Sequence, residues 1–251
     1  MSEPGQDVVR VAAEEVTPEF SRFMGTVVGS PSFELSELMG DQVRFWRFSR
    51  SLKHARKAKV LLDDAGLEPH AVPFRTLVPL LESASLEDDG DLTDRWASLL
   101  ANASGEHEVP VSFPNILREL EPVQAVLLDS VYDTMMQMVP ELWLTRGIFT
   151  PGILDLDESA VHFHIDNLAR LRLVRGLYPE PERHYELITL THLGKAFVRA
   201  CRPPNQPDPA IKYADAASAD AFVAENKKRR AAQTAAEWNQ ATQRPHAGQQ
   251  S

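Results

Sequence analysis

Apolar residues recur at three- and four-residue steps through most of the first half of the chain, a spacing that predicts helices. From Phe33 to Asp64, Leu35, Leu38, Phe45, Phe48, Leu52, Ala55 and Leu62 keep this period, giving one long helix or two broken near Gly40. A turn at Pro69 to Pro73 follows. Phe74 to Leu86 resumes the period through Leu77, Leu80, Leu81 and Ala84, with Pro79 placed to bend or restart the helix. The next helix runs from about Leu92 to Ala103, and GEHEVP makes a loop. Ser112 to Arg118 forms a short helix, and Pro122 introduces a longer one through Val126, Leu127, Val131, Met135, Met136 and Met138.

The pattern then changes. Glu158 to Leu171 is helical, LRLVRGLY is strand-like, PEPERH is a turn, and YELITLT alternates as a second strand before Thr191 caps the helix HLGKAFVRAC. Helix, hairpin and helix in that order resemble a winged-helix unit. The expected fold class is mainly α: a helical bundle followed by a winged-helix-like module with a short β-hairpin. The expected organisation is an N-terminal arm over 1–32, a bundle over 33–139, the module over 140–202, and a linker with a polar Ala/Gln-rich tail over 203–251. Pro4, Gly5, Pro18, Gly25, Gly29 and Pro31 break up the arm, leaving room for one short helix. The tail carries KKRR at 227–230 and supports at most a peripheral helix over 221–240.

Charge and composition narrow the function. A formal net charge of −10 and a pI near 5.3 argue against general attraction to phosphate backbones or anionic lipid. One cysteine, Cys201, excludes an intrachain disulfide framework and any cysteine pair for zinc or redox work. It ends an apolar helix, the setting of a structural thiol. The N-terminus lacks a basic start followed by an apolar core, and no apolar run approaches the roughly 18 residues of a spanning helix. The expected location is cytoplasmic, with no transmembrane segment.

The densest charge feature is LESASLEDDGDLTDRWASLLANAS, residues 81–104. Six carboxylates stand between Glu82 and Asp94 with no basic residue among them. A calcium loop does not fit, because the alternation of oxygen ligands, the glycine turn and the terminal bidentate Glu are out of register. A catalytic carboxylate pair lacks any sign of a base or pocket. The remaining reading is a helix end, a bend at Asp88, Asp89 and Gly90, and a helix start capped by Asp91 or Thr93. Glu82 and Glu87 are left over for a cationic partner, so Glu82, Glu87, Asp88 and Asp89 form a candidate partner surface.

An internal cationic partner is also available. Between Arg44 and Lys59 lie seven Lys or Arg residues and no acid. Arg44, Arg47, Arg50 and Lys53 step by three and form a slanting stripe on a helix. The stripe could meet acidic neighbours or nucleic acid, with Phe45, Trp46 and Phe48 available for stacking, although aromatics at this spacing more often face a core. The winged-helix-like segment is a second nucleic-acid candidate. Its eight acids against seven basic residues over 140–201, with Asp157, Glu158 and Asp166 carried by the helix that would read the groove, disfavour groove reading. His162 and His164 lie about 200° apart on a helix and cannot readily share one metal. No GxSxG elbow, GxxxxGK[ST] loop or strand-associated GxGxxG is present. No catalytic residue, cofactor or metal is expected.

The strings PLLESASLEDDGDLTDRWASLLANA, SFPNILRELEPVQAVLLD, HIDNLARLRLVRG and LITLTHLGKAFVRAC resemble the Abi-alpha family, over roughly residues 40 to 201. The resemblance implies a part in abortive infection, a bacterial response to phage in which the infected cell stops growing or dies. It brings no catalytic residues. Its acidic turn leads into Trp96, Leu99, Leu100 and Asn102. The first three share a helix face suited to burial, and Asn102 sits where it can cap the helix end. The expected function is a nonenzymatic defence component acting through protein contacts, with a protein partner or a second copy. The alternative is a nucleic-acid-binding regulator or sensor using the basic helix or the winged-helix-like module.

Overall fold

The computed structural model describes residues 17–29, 42–87, 89–105, 109–142, 148–149, 158–176, 187–215 and parts of 217–228. The side chains of 42–50, 141, 148–149, 158–160 and 187 lie outside that description. The fold is mainly helical with a small antiparallel sheet. The chain divides into two units, each discontinuous in sequence: 1–125 with 196–207, and 126–195 with 208–251.

The first unit starts with helix α1 (Pro18–Val28). Thr17 accepts the Phe20 N–H on its hydroxyl at 3.1 Å, Pro18 occupies the first turn, and Gly29 closes the helix at φ 73°. Phe20, Phe23, Met24 and Val27 form the buried face at helical spacing. Helix α2 (Gln42–Ala65) contributes Leu52, Ala55, Ala58 and Leu62 to the core. Helix α3 (Phe74–Ala84) keeps its helical course through Pro79 and buries Leu77, Leu80 and Ala84.

Helix α4 (Gly90–Ser104) is covered on nearly all sides, with Trp96, Leu99 and Leu100 at most 1% exposed. Its most extensive neighbour is α2. Ala55 and Ala58 on one helix and Ala97 and Ala101 on the other are fully buried, and side chains of this size let two helix axes approach closely. Helix α5 (Phe113–Arg118) packs on α3. Residues 196–207 complete the unit, and Phe197 meets Phe113 edge-on with ring centres 5.4 Å apart.

Helix α6 (Pro122–Met136) carries the chain into the second unit, where it is followed by a 3₁₀ turn (Pro140–Leu142). Strand β1 (Ile148–Phe149), helix α7 (Glu158–Arg170), strands β2 (Val174–Gly176) and β3 (Leu187–Leu190), and helix α8 (His192–Ala200) follow. The sheet has three strands in the order β1, β3, β2. β2 and β3 are the expected hairpin pair, in register at Val174 with Leu190. β1 adds a strand absent from the sequence reading, pairing Ile148 with Ile188 and Phe149 with Leu187. Two residues are too few to show alternation.

Thr191 caps α8 as its position predicts, its hydroxyl accepting the Gly194 N–H at 2.9 Å. Gly194 lies against Leu173, where any Cβ would stand 2.0 Å from the carbonyl oxygen. The same oxygen accepts the Thr191 N–H at 3.0 Å. Arg172, at φ 59°, turns the chain out of α7. Elsewhere in this unit Tyr132 donates to Asp208 at 2.5 Å, and the backbone near Tyr213 pairs with Gln137 and Val139.

Candidate contact site at the acidic turn

The acid cluster joins α3 to α4, and its carboxylates divide into two groups. Asp89 has extended backbone angles and accepts the N–H groups of Asp91 at 2.9 Å and Leu92 at 3.1 Å on one oxygen. The cap is therefore Asp89, not Asp91 or Thr93 as the sequence suggests. Because α4 begins at Gly90, its unpaired N–H groups fall within reach of residue 89, and Asp91 and Thr93 already lie inside the first turn. Glu87 accepts the Asp89 N–H at 2.9 Å, which fixes the entry to the cap. Asp94 pairs with Lys57 of α2.

Glu82 and Asp91 belong to the second group. Both are exposed, and their carboxylates make no hydrogen bond or ion pair among the described residues. Asp91 sits in the first turn of α4, where the helix dipole favours a negative charge. Asp88 lies outside the described residues.

Helix α2 meets this turn with a buried histidine that the sequence reading did not single out. His54 is 2% exposed, and its Nδ1 lies 3.4 Å from the Thr93 carbonyl. Burial holds its pKa below the ordinary histidine value, while the Thr93 and Ala84 carbonyls draw it upward. Lys53 adds to the depression and Glu87 opposes it. A single histidine inside a basic run carries no signal of such burial. Ser51 braces the same junction by donating to the Leu81 carbonyl at 3.1 Å.

Of the basic stripe, Arg44, Arg47 and Arg50 lie on the helical backbone of α2, with their side chains outside the described residues. Lys53 is exposed. The charges further along α2 find their acids within the unit. Lys59 lies 2.8 Å from Glu19 and 2.7 Å from Asp63, and the hydrogen bonds to these carboxylates raise its pKa. The Arg56 guanidinium covers the Phe20 ring at 5.4 Å. These residues, with Thr17 and Val60, line an open groove of about 430 Å³.

Asn102 caps a helix other than its own. α4 continues to Ser104 and closes on Gly105, so the side chain is not spent at that end. It is 4% exposed, and its amide donates to the carbonyls of Ala200 at 2.9 Å and Arg202 at 2.8 Å, as well as Ser98 at 3.0 Å. Trp96 buries its indole Nε1 without an acceptor among the described residues. Cys201, next to the capped carbonyl, is a buried thiol outside any disulfide. No group of three or more His, Cys, Asp or Glu side chains among the described residues is placed to hold a metal ion.

Residues 48–201 match the family described as abortive infection alpha. The chain belongs to that family. The matched stretch begins inside α2 and ends at Cys201, so this abortive infection alpha region includes the acidic turn, the Asn102 bond to Ala200 and the three-stranded sheet. Membership associates the chain with abortive infection. No curated protein and no solved structure is found to match it. No helix among the described residues is long and apolar enough to cross a membrane.

Proposed function

We propose that this abortive infection alpha protein is a nonenzymatic component of phage defence that acts in the cytoplasm through protein contacts. The observation that carries the reading is the division of the acidic turn. Glu87, Asp89 and Asp94 brace the α3 to α4 connection, whereas Glu82 and Asp91 project from it. Rigid bracing beneath outward charge suits a surface that steers and orients a partner. The segment 140–202 is read as a winged-helix-like module, because α7, β2, β3 and α8 follow one another in the order of that motif. With acids and bases nearly balanced over 140–201, it serves as a structural or protein-docking element.

Affinity purification of the full chain from uninfected and phage-infected cells, with and without nuclease, tests this reading. A protein partner retained after nuclease treatment and released by raised salt is expected. Material retained only before nuclease treatment would replace it with the nucleic-acid reading of the basic helix over 44–59. Recovery of no partner in either state would overturn it.

A further inference from the structure

Helix α3 carries an apolar line that the fold leaves uncovered. Phe74, Val78 and Leu86 are 64%, 45% and 56% exposed, while Leu77, Leu80 and Ala84 on the other side of the helix are buried. Phe74 and Val78 lie one turn apart, and Leu86 follows just past the helix end, so the line extends roughly 18 Å. Single exposed apolar residues are ordinary on a protein surface. Here three share one face with Glu82, an exposed acid at the same helical spacing. Glu82 stands between Val78 and Leu86 in helical spacing, and Asp91 follows in the first turn of α4. Neither has a side-chain partner among the described residues.

We infer that the exposed face of α3 and the outward acids Glu82 and Asp91 form a docking surface for a basic amphipathic helix of a partner protein. This inference rests on the protein-contact reading and names the partner's chemistry. The length of the apolar line matches about three turns of a helix, the usual span of anchors in helix recognition. Lys or Arg residues flanking the partner's apolar side would meet Glu82 and Asp91. The exposed Arg75 at the start of α3 sets direction, since it favours an acid or a helix C-terminus at that end. An acidic helix or a phosphate backbone would meet like charge at Glu82 and Asp91. Two copies joined symmetrically about the middle of this face would set Glu82 against its own copy.

Fluorescence anisotropy of the full chain with a labelled helical peptide of about 18 residues, Leu on one side and Lys on the other, tests the surface. The Lys peptide binds and a matched Glu peptide does not. Binding weakens with salt. The double variant Glu82→Lys with Asp91→Lys and the triple variant Phe74→Ser, Val78→Ser, Leu86→Ser each lose about tenfold or more in affinity. Phe163→Ser, in the other unit, leaves affinity unchanged. The charge variant alters only exposed side chains, so it remains decisive if the triple variant fails to fold. Equal binding of the Glu peptide, or unchanged binding by the folded charge variant, overturns the surface. So does a dimer in sedimentation that the same variants dissolve. If both the charge variant and the triple variant still capture the infection partner, the surface is wrong and the protein-contact reading stands. If the wild-type chain captures no protein, that reading fails.

Discussion

The side-chain amide of Asn102 donates to the carbonyl of Ala200 at 2.9 Å, across 98 positions of sequence. Its two hydrogens are shared with the carbonyls of Arg202 and Ser98. Replacing Asn102 with Leu leaves the last carbonyls of α8 without this donor in a buried setting, at a cost of about 3 kcal/mol. Asn102→Asp fares no better, because an ionised carboxylate only accepts. Denaturant unfolding of the full chain measures both, and a loss below about 1 kcal/mol would contradict the bonding described.

Gly194→Ala places a methyl group against the Leu173 carbonyl, where no side-chain rotation relieves it. The start of α8 must shift away from the end of β2's approach, with a loss of about 3 kcal/mol, the upper range for overpacking. Thermal unfolding reads the change, and an Ala variant as stable as the wild type would refute the close approach.

His54 makes stability depend on pH. Because burial lowers its folded-state pKa, the neutral ring is favoured in the fold and the unfolded chain binds the proton more readily. The contribution is present above the unfolded value of about 6.5 and is lost as pH falls through the lower folded value. His54→Gln should flatten this acid-side decline in a series of denaturation curves. An unchanged slope would locate the dependence elsewhere.

The divided acidic turn predicts a contrast between neighbours. Asp89→Ala removes the cap of α4 and costs about 1 kcal/mol. Glu82→Lys alters an exposed position with no side-chain partner among the described residues and stays within about 0.5 kcal/mol of the wild type. Equal effects in the same unfolding assay would mean that both carboxylates serve the fold.

Much of the helical architecture was legible because burial imposes a period. Leu77, Leu80 and Ala84 mark the inner face of α3, and the run from Leu92 to Ala103 lies within α4. The β2 and β3 pair was legible from alternation around the 179–184 turn. β1 was not, since two residues carry no period. The cap of α4 was misplaced because Asp88, Asp89, Asp91 and Thr93 are all capable caps, and only the helix start decides among them. What separates Asp94 from Asp91 is Lys57, 37 positions away, and no local window reports such a pairing. The same distance problem hid the partner of Asn102 and the burial of His54.

Residues 196–207 belong to the first unit, but they follow the 70 residues of 126–195 in the chain. During synthesis, Asn102 and Phe113 therefore wait for Ala200 and Phe197 while that whole intervening stretch emerges, roughly 4 to 14 seconds at ribosomal speed. Until then the half-built unit leaves Phe113 without its ring partner, and the Asn102 amide lacks two of its three acceptors. A nascent chain arrested within that window would lack the contacts that close the first unit.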